Sequence, residues 1–318
     1  MFKTPKFWHE KTIKSAIISH ALLPFSCLFL LGTKIRKMKS ITHKIGDKFV
    51  ICVGNASLGG NGKTPVTIAL FEELSHVFAG EICVASKGYG RLTKGFLAVE
   101  KNMSPIQIGD EPALISQTAP VYLFTKIKDI IQNIHKIKEK IIIMDDGLQN
   151  PNFHKNFTLL IVGEKLFGNG KIFPAGAMRE TSSDAIAKSD IVVFTGNAVT
   201  KTGNTSSYFA KSRFETTLSP QEVVAFSGLG HNDKFKKSLT EQGFVVKKFF
   251  EFKDHHQYTS SEIEDIIKKS GNLPIITTEK DWVKLENSQK NQIHTLKLKY
   301  ILHAEIIEII LRKINEEK

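Results

Sequence analysis

Two α/β units are predicted, the first a parallel sheet covered by helices and opening on a phosphate-binding loop, and three observations carry that prediction. Apolar runs bounded by Gly, Asn, Asp and Ser recur at residues 49–53, 81–85, 121–124, 141–144, 157–162 and 190–194, with helical stretches such as 65–74 and 129–140 between them. Parallel strands joined by crossover helices require that alternation. The pattern restarts after a polar segment at 197–207 and a short β-like stretch around Phe214, with strands near 222–226, 244–250 and 274–277 and helices near 234–242 and 261–269. The 318 residues are about two domains long, at roughly 100–200 residues each. The expected division is an N-terminal apolar and basic segment at 1–40, a larger α/β domain at 41–218 and a smaller one at 219–318.

Taken in order, the first element is unlike the rest. Residues 16–31, AIISHALLPFSCLFLL, are almost wholly apolar, with Lys11 and Lys14 before them and Lys34, Arg36, Lys37 and Lys39 after. One helix of this length reaches roughly 24 Å, short of a hydrocarbon core of about 30 Å. His20 and Pro24 interrupt it and no small-residue cleavage site follows, which argues against a secretory signal. A helix lying in a membrane interface with its cations on lipid phosphates and a buried or capping helix of a soluble domain stand as equal readings of these residues.

The run at 49–53 leads directly into Gly54-Asn55-Ala56-Ser57-Leu58-Gly59-Gly60-Asn61-Gly62-Lys63-Thr64-Pro65, after which the pattern turns helical. Glycines let the backbone N–H groups fold around phosphate oxygens, a lysine reaches the β/γ-phosphates, a threonine hydroxyl can bind Mg²⁺, and a new helix aims its positive end at the anion. Ser57 stands where the strict phosphate-loop pattern has its first glycine. The preceding strand and Pro65 in the first helical turn keep the assignment, with residues 57–64 as the nucleotide cradle. The run at 141–144 ends in Asp145-Asp146-Gly147, carboxylates at the carboxyl edge of the sheet, where a phosphate-loop protein holds its metal. The bland alternative for Asp-Asp-Gly is a solvated turn.

Composition agrees with this architecture. A chain that is 41% hydrophobic and 24% charged is neither disordered, collagen-like nor polytopic in a membrane. Forty-four Lys and Arg against 32 Asp and Glu leave +12, which suits an anionic partner: a phosphate ligand, a nucleic acid or an acidic membrane. Only five cations are arginine, so Arg91 and Arg179, in Gly- and Pro-shaped loops, stand out as candidates for bidentate phosphate contacts. Cys27, Cys52 and Cys83 lie in apolar runs without a CxxC pattern and read as buried free thiols, which excludes a disulfide framework and a zinc site. The His255-His256 doublet has no third ligand at useful spacing.

Several ordered motifs together resemble the tetraacyldisaccharide 4'-kinase (lipid A 4'-kinase) family. They are the loop at 59–65, Ser86-Lys87-Gly88-Tyr89-Gly90-Arg91, Gly109-Asp110-Glu111-Pro112, Asp145-Asp146-Gly147-Leu148-Gln149-Asn150, the loop at 174–180, Asp254-His255 and Thr277-Thr278-Glu279-Lys280-Asp281. Asn61 stands where the family usually has Thr or Ser, Lys87 where it has Arg, Leu148 for Phe and Ala177-Met178 for Pro-Leu. The resemblance implies two α/β/α domains with a cleft between them and an N-terminal membrane-associating helix. It implies transfer of the γ-phosphoryl of ATP to the 4'-hydroxyl of a tetraacyldisaccharide 1-phosphate at the cytoplasmic face of the bacterial inner membrane, by a peripheral or monotopic enzyme with no nucleic acid and no obligate protein partner. On that basis Lys63 holds phosphates, Thr64 with Asp145 or Asp146 holds Mg²⁺, Asp110 helped by His255 deprotonates the hydroxyl, and Arg179, Tyr89 and Asn150 line the substrate. The competing expectations are a phosphate-loop kinase acting on a soluble small-molecule hydroxyl and a nucleotide-driven membrane ATPase without transfer.

Overall fold

The structure, a computed structural model, describes residues 5–10, 12–101 and 103–317. Lys11, one of the cations ahead of the apolar stretch, lies outside the described residues. The first sheet contains β1 (Phe49–Gly54), β2 (Ile82–Ser86), β3 (Leu97–Ala98), β4 (Val121–Leu123), β5 (Ile141–Asp145), β6 (Phe157–Val162), β7 (Ile191–Phe194) and β8 (Ser206–Phe209). Their order is β3-β4-β2-β5-β1-β6-β7-β8, parallel throughout except for β3 against β4. Strands β1, β2, β5, β6 and β7 are buried on both faces, which is why they read as unbroken apolar runs. The second sheet holds β9 (Lys211–Glu215), β10 (Glu222–Ser227), β11 (Val245–Glu251), β12 (Ile275–Thr278) and β13 (Ile293–Ile301) in the order β11-β10-β12-β13-β9, with β9 antiparallel to β13.

Four elements differ from the sequence reading. The stretch at 129–140 is helical only over Ile127–Gln132, followed by a 3₁₀ turn at Ile134–Lys136. The carboxylate of Asp129 accepts the Thr125 and Lys126 N–H groups at 3.0 and 2.8 Å, which sets the helix start earlier, and an extended Ile137 lets that side chain join the same core as Ile127 and Ile130. The end of the polar segment forms the edge strand β8 beside β7. Strand β9 places the start of the second sheet at 211, ahead of 219. The last helix, Ala304–Glu316, returns to the first unit, where Ile306, Ile310 and Ile314 pack into the core that contains Leu70 and Leu74.

The N-terminal stretch is a bent pair of helices, α1 (Ile13–Ala21) and α2 (Leu23–Met38), turned by 48° between them. Pro24 has no N–H to donate and occupies the first turn of α2, where that loss is harmless. Among the described residues no single helix is long and apolar enough to cross a membrane, whereas the bent pair passes by length and composition. The pair packs on the protein through buried serines together with Phe29 and Leu30. Ser19 and Ser26 are 2% and 3% exposed. Ser19 donates to the carbonyl of Ala175, Ser26 donates to that of Ile172 at 2.7 Å and accepts the Ala175 N–H at 3.2 Å. Ile13, Ile17, Phe25, Leu28, Leu31, Ile35 and Met38 face outward. Cys27 lies exposed on α2, unlike the buried Cys52 and Cys83, because the apolar run that carries it turns away from the core.

Candidate active site

Strands β1 and β5 are neighbours with Val53 opposite Asp145, so the loop after β1 and the carboxylates after β5 leave one sheet edge side by side. Asp146, at φ +54°, donates its N–H to the Val53 carbonyl at 2.9 Å. The loop from Gly54 closes on the third helix, α3 (Lys63–Ser75), through Gly59 at φ +113° and Gly62 at φ +79°. A Cβ at Gly62 would also lie 3.1 Å from the Tyr300 ring of β13, so both the backbone and the second sheet demand glycine there. Asn61 Nδ2 donates to Ser57 Oγ at 2.8 Å, a bond across the loop that ties down the position where Ser57 replaces glycine. Leu58 N–H donates to the Ala177 carbonyl at 2.7 Å and Arg179 N–H to that of Ala56 at 2.8 Å. The loop at 172–179 thereby braces the phosphate loop from behind, and the same loop carries the serine contacts of α1 and α2. Gly60 stands in open space at the rim.

Lys63 folds back over this edge, with Nζ 3.1 Å from Asn55 Oδ1 and 3.6 Å from Asp146 Oδ1. Arg179 Nη1 donates to both Asp146 oxygens at 3.0 and 3.2 Å and to Gln149 Oε1 at 3.1 Å. Burial pushes the Asp146 carboxyl up, but the opposing charges of Lys63 and Arg179 outweigh it and hold the group below the usual carboxylate range. Asp145 is the contrast. Burial, then the charge of Glu111, push it up to about 7 against the pull of Lys63, and its hydrogen-bond partner is the Thr67 hydroxyl at 3.3 Å. A strand-end carboxylate this poorly compensated fits a cation. Thr64 is buried one helical turn before Thr67 on α3. Among the described residues no group of three or more His, Cys, Asp and Glu is placed to hold a metal ion.

Across the cleft, His255 Nδ1 lies 2.8 Å from Asp110 Oδ2. Asp110 opens the helix Asp110–Ile115 beside the first sheet, and His255, at φ +60°, follows β11 of the second. The structure thus joins two residues 145 positions apart that the sequence could pair only through the family resemblance. Burial pushes Asp110 up, while the His255 hydrogen bond and the Lys284 charge more than offset it and leave the carboxyl below its usual range.

The remaining candidates are placed less centrally. Tyr89 is exposed, and its backbone packs on Gly109. Asn150 Oδ1 accepts the Asn152 N–H at 3.1 Å within its own turn. Arg91 donates to Gly95 O, Thr93 Oγ1 and Thr125 Oγ1 and is buried, so this rare arginine pins a loop and does not face an anion. Leu148, Ala177 and Met178 are buried packing residues. Sequence reasoning missed Asn55 and Thr67, which contact Lys63 and Asp145, and Gln257 and Lys284, which reach Asp110 at 3.5 and 3.4 Å. The available signal for Lys284 was its spacing four residues after Lys280 in a strand-end motif.

With this geometry in place, the chain can be set beside known proteins. The profile of the Tetraacyldisaccharide-1-P 4'-kinase family matches residues 18–315. The tetraacyldisaccharide 4'-kinases of Rickettsia canadensis and Rickettsia bellii are each 32% identical, over 298 and 294 residues, covering 90% and 89% of this chain and 90% of each relative. The crystal structure of LpxK from Aquifex aeolicus in complex with ATP superimposes with a TM-score of 0.80 at 28% identity, covering 94% of this chain and 99% of that one. The mixed α/β fold with its large parallel sheet is shared with that structure. A profile that runs through every motif from the apolar helices to the last helix shows that the chain belongs to the tetraacyldisaccharide-1-P 4'-kinase family.

Proposed function

We propose that the chain performs its family's reaction at this edge, with ATP as phosphoryl donor, an acylated disaccharide 1-phosphate as acceptor, and the residues above in stated roles. The family makes it an ATP-dependent kinase of lipid A synthesis. One observation carries the assignment of roles: the phosphate loop and the paired aspartates leave one sheet edge side by side, the charge of Glu111 reaches Asp145 there, and Asp110 next to Glu111 is met by His255 from the second sheet. The backbone of 57–64 and the start of α3 would cradle phosphates, and Lys63 would neutralise charge developing there. Thr64, Asp145 and Asp146 would hold Mg²⁺, which when bound offsets phosphate charge. Asp110, oriented by His255, would accept the 4'-hydroxyl proton. Arg179, Tyr89 and Asn150 would border the bound anions and sugar. Incubation with γ-labelled ATP and tetraacyldisaccharide 1-phosphate is expected to label the disaccharide. Release of inorganic phosphate without labelled glycolipid would instead identify an ATPase.

The metal role makes a separate prediction. Asp145→Asn and Asp146→Asn each keep shape and lose charge, and each is expected to raise the Mg²⁺ needed for half-maximal activity by at least about tenfold. Asp145→Asn should have the larger effect, because Asp146 already has Arg179 and Lys63 as partners. Equal Mg²⁺ dependence in all three proteins would remove the metal role from the pair.

The helix pair supports placement of the protein on a lipid surface. Its serines face the protein beside Phe29 and Leu30, while Ile13, Ile17, Phe25, Leu28, Leu31, Ile35 and Met38 face out, an apolar surface larger than a helix packed on a soluble core usually leaves. Lys34 and Arg36 on α2 and Lys39 at its C-cap are exposed, where anionic lipid would meet them, while Lys37 reaches Glu180 at 3.7 Å. Phe25→Ser with Leu28→Ser removes apolar area that contributes about 1.5–3 kcal/mol per buried side chain, and vesicle binding should weaken at least about tenfold with melting temperature unchanged. Undiminished binding by the folded variant would remove the anchor. Substitution is the better test than deletion, since losing Ser19 and Ser26 would strip partners from the loop that braces the phosphate cradle.

A further inference from the structure

The motif at 277–281 and the lysine that follows it have no part in the reading above, yet they reach the presumed base. Lys284 has a side chain 0% exposed, and its ammonium lies 3.1 Å from Asp281 Oδ1 and 3.4 Å from Asp110 Oδ2. Asp281 is fixed in turn: its Oδ2 accepts the Gly228 N–H at 3.0 Å and the Thr278 hydroxyl at 2.7 Å, and its own N–H donates to Thr278 Oγ1 at 3.2 Å. The Lys284 N–H donates to the Asp281 carbonyl at 3.1 Å, and the ammonium sits 5.7 Å from the Tyr258 ring centroid. A second lysine acts on the other side. Lys280 Nζ is 3.3 Å from His255 Nε2 and 3.4 Å from Asp254 Oδ1. An ammonium has only donors, so Nε2 accepts, Nδ1 carries the imidazole proton, and that proton is donated to Asp110 Oδ2.

Resting on the assignment of Asp110 as the base, we infer that Lys284 is a positioning residue: a buried ammonium of the second unit that, held by Asp281, clamps one oxygen of Asp110 so that the other is presented to the acceptor hydroxyl. A fully desolvated lysine is costly unless carboxylates surround it, and here two do, one from each side of the cleft. Oδ2 of Asp110 is occupied by Lys284 and His255. Among the described residues Oδ1 has only the Gln257 amide at 3.5 Å and is the atom left to take a proton. Because Lys284 and His255 both belong to the second unit, the base is fully oriented only when the two units are together. The charged and titratable groups facing Asp110 are Lys284, His255 and Lys280, with Tyr258, whose phenol is pushed up by burial and by Asp281, and with Asp281 itself on the far side of Lys284.

Lys284→Met is expected to lower kcat about 100-fold, the scale of a misplaced catalytic group, with KM for ATP within about twofold of wild type. A carboxylate base works above its pKa and the ammonium lowers that pKa, so the acid limb of the kcat–pH profile should move to higher pH in Lys284→Met. Lys284→Arg, which keeps the charge, should restore much of the rate and the original limb. Lys284→Met with Asp281→Asn removes the carboxylate left unpaired and keeps the test valid if the single variant is unstable; a folded double variant must show the same kcat loss and the same limb shift. A folded variant with wild-type kcat and pH profile overturns the clamp, as does loss that follows melting temperature alone. Asp110→Asn run in parallel separates the two claims: an active Asp110→Asn defeats the base assignment itself, whereas an inactive one beside an unaffected Lys284→Met defeats only the clamp.

Discussion

Lys63→Ala should leave a folded protein whose phosphoryl transfer is lower by about 1,000-fold, the scale on which removal of a preorganised electrostatic contact acts. Lys63 is the first residue of α3, and its ammonium spans the loop to reach Asn55 and Asp146. Its loss costs the fold little, since Asp146 keeps Arg179 and Asn55 keeps its own bond to Ser57 O at 2.7 Å. The chemistry loses more. In phosphoryl transfer the protein supplies position and charge compensation, and in the proposed assignment Lys63 is the cation that would meet the phosphates. Rate measurements beside a melting curve decide the matter: near-normal transfer by a folded Lys63→Ala protein would remove the phosphate-loop assignment.

The second large effect is expected from the pair that joins the two sheets. Asp110→Ala and His255→Ala should each lower kcat by about 100- to 1,000-fold while KM for ATP stays nearly constant, since neither residue touches the phosphate loop. The double variant should be little worse than the poorer single one, because two groups sharing a 2.8 Å hydrogen bond act as a unit. The reading in which Asp110 merely starts a helix and His255 merely shapes a turn predicts something else: multiplicative losses that follow a falling melting temperature. Asp110→Ala is also expected to destabilise the fold, because it removes a carboxylate from the buried Lys284 ammonium. Asp110→Asn therefore serves as the control, and a rate loss in a fully folded Asn variant separates chemistry from folding.

Legibility followed the range of the interactions. The strands at the centre of the first sheet were visible because burial on both faces forces runs such as Ile141-Ile142-Ile143-Met144. The strand–loop–helix around Lys63 was visible because a glycine-rich stretch stands between an apolar run and a helical pattern. Helix starts were less visible, since Asp129 sets one through a side-chain bond to two backbone N–H groups that no periodicity records. Strand β13 and the last helix were missed. Only the pairing of β13 with β9 and β12, and the packing of Ile306, Ile310 and Ile314 on α3, give those residues their burial.

The apolar N-terminal stretch marks the same boundary from the other side. Its composition was plain, yet a buried helix and a lipid-facing one have the same composition. What the structure adds is the direction of Ser19 and Ser26, which depends on the backbone of Ile172 and Ala175 about 150 residues away. The sequence by itself determined the sheet-and-helix class, the phosphate loop with Lys63 and Thr64, the strand-end aspartates and, through its ordered motifs, the family. Only the tertiary structure decided that Asp110 meets His255, that Lys284 is sealed beneath them, that Arg179 pairs with Asp146 and Arg91 with loop carbonyl and hydroxyl oxygens, and which side of the N-terminal helices faces out. The physical reason is that local propensity and burial write themselves into neighbouring residues, while a hydrogen bond or ion pair between distant segments constrains each partner only through the fold that brings the two within about 3 Å.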